Sequence, residues 1–139
     1  MRAIIVRDLD EARVAFGAAA ELGVPLAVIS APGAALYQGV GYFAALIEAA
    51  RAEFPTVAAT AILDCGDAPG LALAAFRHGV AAVRVEAPPK ARARIADIAA
   101  QSGAALVTGR LATLDLAGRR EPHEACLAWL AKPKARRKG

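Results

Sequence analysis

Short apolar runs recur along the chain, each followed by apolar residues at helical spacing. Ala3–Val6 is the first run. Asp8 then suits a helix N-cap with Glu11 reaching back, a D-x-x-E variant of the capping box. Leu9, Ala12, Phe16 and Ala19 share one face of that helix, and Gly23 ends it. The second strand is predicted at Leu26–Ser30, and A-P-G-A-A-L-Y-Q-G-V-G after it reads as a loop. A helix over Tyr42–Glu53 presents Phe43, Leu46, Ile47 and Ala50 inward. Strand three is placed at Ala59–Asp64, its helix at Pro69–His78, and strand four at Val80–Glu86. Pro88 and Pro89 open the next helix, Gly103 closes it, and Ala104–Thr108 makes strand five. Residues 111–118 fit either an extra strand or a helical turn. Glu121–Ala131 reads as a last helix with Cys126, Leu127 and Leu130 inward.

Three helices thus end in glycine directly before a strand, at Gly23, Gly79 and Gly103. Alternation of this kind implies parallel strands joined by right-handed crossovers. The expected fold class is α/β, with about five mostly parallel strands in the order 1-2-3-4-5, like a partial TIM barrel. The alternative is an open, flavodoxin-like doubly wound sheet in the order 2-1-3-4-5. A barrel fragment leaves one sheet face and two edges open. The last helix, or a second copy in a homo-oligomer, is expected to cover them.

Charge divides the chain. Lys132, Lys134, Arg136, Arg137 and Lys138 are five of its 17 basic residues, and the other 12 face 13 acidic ones. A nearly neutral domain over 1–131 is expected to precede a disordered basic tail over 132–139, whose phosphate contacts would be the only route to nucleic acid. No apolar run reaches the ~20 residues of a membrane span, and the N-terminal run is too short for a signal peptide. Cytoplasmic residence is the expectation, with no membrane partner. Cys65 and Cys126 match no zinc or disulfide spacing, so reduced thiols are expected.

Ligands of parallel α/β folds gather at the C-terminal ends of the strands. The residues there are Arg7, Asp8, Ser30, Asp64, Cys65, Glu86, Thr108 and Arg110. Together they suit a small polar metabolite. Neither a Walker loop nor a G-x-G-x-x-G follows a strand. His78 at a helix C-terminus and His123 in a helix first turn read as structural, as does Trp129 on the last helix.

The segments L-D-E-A-R-V-A-F-G-A-A-A-E-L-G-V-P-L-A-V-I-S, P-G-A-A-L-Y-Q-G, A-I-L-D-C-G-D and L-A-L-A-A-F-R-H-G-V-A-A-V-R-V-E cover about residues 4 to 87. Their order resembles the N-terminal half of class II (metal-dependent) fructose-bisphosphate aldolase barrels, and L-D-C-G-D is similar to that family's L-D-H-G signature. The resemblance implies that Asp64 stands at the catalytic acid and Ser30 at a substrate-contacting serine. It implies that Cys65 stands where the family has a metal-binding histidine, and that Glu86 replaces a metal-associated aspartate. Val107 and Thr108 occupy the region of the family's glutamate ligand. Its other metal histidines and phosphate-gripping glycine loops belong to later strands.

The expectation is therefore an aldolase-like domain without an intact metal site and without a resident cofactor. It would bind a small polar or phosphorylated metabolite, or a partner protein, through Ser30, Asp64, Cys65, Glu86, Thr108 and Arg110. One alternative is a metal-dependent lyase using Asp64 as acid with Cys65 and Glu86 on the metal. The other is a nucleic-acid-associated module acting through the basic tail.

Overall fold

The computed structural model describes residues 1–131. The expected basic tail, and any nucleic-acid contact through it, lies outside the described residues. The elements are β1 Arg2–Ile5, α1 Leu9–Leu22, β2 Leu26–Ile29, α2 Ala34–Tyr37, α3 Val40–Glu53, β3 Ala59–Asp64, α4 Pro69–Arg77, β4 Ala82–Arg84, α5 Pro89–Gln101, β5 Ala105–Leu106, β6 Ala112–Asp115 and α6 Pro122–Ala131. The six strands form one sheet in the order β5-β4-β3-β2-β1-β6, and every pairing is parallel. The expected 1-2-3-4-5 succession is present and the 2-1-3-4-5 alternative is not. The open segment near residue 112 is a strand, running beside β1 with Ile5 opposite Asp115. The 31–41 stretch is not all loop, because α2 adds one turn and α3 starts two residues before Tyr42.

The caps follow the sequence closely. Asp8 Oδ1 accepts the Glu11 N–H at 2.9 Å. Glu11 reaches one residue further back than a capping box requires, to the Arg7 N–H at 2.9 Å. At the other end of α1, Gly23 adopts φ 66°, and the Val24 N–H donates back to the Ala19 carbonyl. Matching bonds run from Val80 to Ala75 and from Ala104 to Ala99 across Gly79 and Gly103. One glycine-dependent turn thus launches β2, β4 and β5 alike.

Side-chain alternation sorts the strands into two faces. Ile4, Val6, Val28, Ala61, Leu63, Cys65, Val83 and Leu114 pack with the helices, around the fully buried Phe16. Ala3, Ile5, Ile29, Ile62 and Ala82 point the other way, where Val107 and Leu111 pack on them. No helix among the described residues lies on this second face, yet these strand residues are only 0–8 % exposed.

The connection between β5 and β6 explains that burial. These strands sit at opposite ends of the sheet order, yet only residues 107–111 join them. A flat sheet of six strands would set its outer strands about 24 Å apart. Six Cα steps reach at most about 21 Å, and the chain must also descend from the end of β5 to the start of β6. The sheet is therefore strongly curled around the connecting segment. Helical crossovers from β1 to β5 advance in one direction on one face. A right-handed return to β6 must then cross the opposite face. The expected cover by the last helix is thus corrected: residues 107–111 pack on this face, while α6 packs beside α1 on the helix side. No helix among the described residues is long and apolar enough to cross a membrane.

Candidate functional site

Parallel pairing brings the C-terminal ends of all six strands to one rim. Pairing continues past the regular strands there. The Cys65 N–H donates to the Arg84 carbonyl at 2.8 Å, and the Glu86 N–H to the Gly66 carbonyl at 2.7 Å. These bonds fix Asp64, Arg84 and Glu86 relative to one another. By the same alternation, Asp64 and Arg84 share the second sheet face with Ile62 and Ala82.

Asp64 is the rim's organising carboxylate. Its Oδ1 accepts N–H bonds from Gly33 and Gly66, both at 2.9 Å. One oxygen thereby ties the β2–α2 loop to the β3–α4 loop. Gly66 has φ 57°, a left-handed backbone conformation that favours glycine over any residue with a Cβ. Ser30 lies beneath the rim rather than on it. It is 2 % exposed, and its Oγ accepts the Asp64 N–H at 2.9 Å. Ser30 therefore supports Asp64 and lines neither rim cavity.

Cys65 departs most from expectation. Its position alternates with Asp64, so its side chain enters the helix-side core and is fully buried. Burial, reinforced by the charge of Asp64, pushes its thiol up to about 12. It lines neither rim cavity, whereas Glu86 lines both. The class II resemblance implies a catalytic metal held in part at position 65. The residues present do not fit one. A cysteine ligates a metal as its thiolate and must face the site, and among the described residues no three His, Cys, Asp or Glu side chains group closely enough to hold an ion. Thr108 does reach the rim. Arg110 is exposed and lines neither cavity.

Two cavities meet on the rim. One, about 360 Å³, is lined by Arg84, Glu86, Arg92, Thr108 and the backbone of Gly109, among others. The other, about 350 Å³, is lined by Gly33, Asp64, Gly66, Asp67, Arg84 and Glu86, among others. Arg84, Val85 and Glu86 form their shared wall. Arg84 Nη2 donates to the Gly109 carbonyl at 2.6 Å, while Nη1 is buried without a hydrogen-bond partner among the described residues. Further round the rim, Arg7 grips Asp115 through two bonds of 2.7 and 2.9 Å. That grip, with the Ala117 N–H, lowers Asp115 to about 2. Arg84 and Asp115 were missed as site residues. Their signal was available: an arginine inside A-A-V-R-V-E, on the same alternation as Glu86, is hard to explain as core.

The solved structures supply a relative at this point. The chain matches a crystal structure from Coccidioides immitis assigned as a fructose-1,6-bisphosphate aldolase, with a TM-score of 0.58 and 19 % identity. The match covers 76 % of this chain and 44 % of that one. The fold is aldolase-like. This chain spans less than half the length of that relative. No protein-family model and no curated protein sequence matches it.

A third cavity, about 250 Å³, lies between α3 and the start of β4, lined by Phe43, Ile47, Arg51 and His78 among others. It shares no lining residue with the two rim cavities.

Proposed function

We propose that this chain is an aldolase-like domain that binds a small polar or phosphorylated metabolite at the strand-end rim, without the metal chemistry of the class II family. One observation carries the reading: Arg84 stands in the wall of two adjoining polar cavities with a guanidinium nitrogen that no acceptor among the described residues satisfies. An unpaired buried donor of a cation is costly, and a bound ligand with acceptor oxygens relieves that cost. Asp64 acts here as a clamp on the loops that border the cavities. Thr108 and Glu86 supply further polar contacts. The lyase alternative lacks support from Cys65, which is buried away from the rim.

The test is a thermal-shift screen of the full chain against sugar phosphates and other polar metabolites, with and without divalent metals. At least one phosphorylated compound is expected to raise the melting temperature equally with and without chelator. Stabilisation that needs stoichiometric zinc or cobalt, and is lost with Cys65→Ala, would instead favour the lyase.

A further inference from the structure

The two rim cavities have opposite electrostatic character. The cavity on the β5 side sets Arg84 and Arg92 against one carboxylate, Glu86. The cavity on the β2 side sets Asp64, Asp67 and Glu86 against one guanidinium, Arg84. Asp64 and Arg84 are partners in the β3–β4 register, yet they form no salt bridge. The reason is geometric, because the Asp64 carboxylate is held by the Gly33 and Gly66 amides. Arg84 is thus left without an ion pair among the described residues. The first turn of α5 adds backbone donors. Pro88 and Pro89 carry no N–H and no side chain caps this helix, so the Lys90 and Ala91 amides are the donors at its start without an intrahelical acceptor.

We infer that the rim takes a small molecule of split polarity, with an oxyanion end in the Arg84–Arg92 cavity and a donor-bearing end, hydroxyl or ammonium, in the Asp64–Asp67 cavity. The inference rests on the proposed metabolite site and adds the ligand's class and direction. Arg92 and the Thr108 hydroxyl, both in the lining of its cavity, donate to the oxyanion. Arg84, fixed to Gly109 by Nη2, supplies the charge beneath. Across the Val85 wall, Asp67 and Glu86 are exposed carboxylates with no ion pair among the described residues. They accept hydrogen bonds from the other end. Each cavity sits near the small end of the usual range for ligand sites, so the pair suits one short bifunctional molecule better than two separate ligands.

The test is amide chemical-shift mapping of the full chain titrated separately with inorganic phosphate, O-phosphoethanolamine and ethanolamine. Phosphate is expected to shift residues 86–92 and 107–109 saturably. O-phosphoethanolamine is expected to shift these and also residues 64–67, and to bind at least about tenfold more tightly than phosphate. Arg92→Ala, a change on an exposed helical residue, should weaken both phosphate compounds by about tenfold and leave the melting temperature unchanged. Neutral sugars shifting the rim while phosphate does not would overturn this inference and leave the metabolite site standing. Phosphate shifts that spread over the surface without saturating would also overturn it. Silence of the rim toward every compound would remove both.

Discussion

Cys65 and Cys126 are buried free thiols, and burial lifts them to about 12 and about 11. The thiolate is the reactive form, so both should be inert at neutral pH. A thiol reagent is expected to modify neither cysteine in the native chain and both in denaturant. Prompt native labelling of Cys65 would place it on the rim after all. Asp64 makes a different prediction. Asp64→Ala removes the acceptor for the Gly33 and Gly66 amides and is expected to cost about 2–3 kcal/mol in a denaturant titration. Asp115 carries a pH signature. Its value falls from 3.8 in the free group to about 2 beside Arg7. Its stabilisation is complete above the higher value and is lost as pH falls through the lower one. The carboxylate is partly exposed, so the effect is modest. Acid melts should show Asp115→Asn losing less stability than the parent between those two pH values. Parallel pH curves would contradict the bidentate grip.

At the scale of elements, the segment 107–111 has the most unusual task. Val107 and Leu111 pack on the second sheet face, with no helix among the described residues beside them. Leu111→Ala is expected to cost about 1–2 kcal/mol, since the side chain is half-buried. Leu111→Asp should also promote self-association by gel filtration, because it lifts the cover from apolar strand residues. All helices but the one-turn α2 and the first five strands were legible in the sequence, because apolar runs, proline starts and glycine stops agree. Strand β6 was not. In A-T-L-D only Leu114 is buried, which is too little periodicity to separate a strand from a turn. The length of β4 was overestimated, since Val80 and Glu86 flank it as apolar or polar chain of similar character. The face of Cys65 was legible and was misjudged. Strand alternation places Ile62 with Asp64 and Leu63 with Cys65, so acid and thiol cannot share a face. Adjacency in sequence suggested a common site that the pleat forbids.

For the whole molecule, the curled parallel sheet does two things at once. It draws β5 and β6 close enough for five residues to join them, and it gathers the strand ends into one rim. Val107 and Leu111 of this chain pack on the sheet face that a barrel fragment was expected to leave open. The rim's polar residues come from strands far apart in sequence, which is why no short motif revealed Arg84 between its two cavities. The most direct measurement is a crystal structure of the full chain bound to the strongest phosphorylated compound from the thermal screen. The account predicts ligand density between Arg84, Glu86 and Arg92, with its phosphorus on the β5 side of Val85. Density at the opposite end of the sheet, beside Arg2 and Trp129, would contradict it.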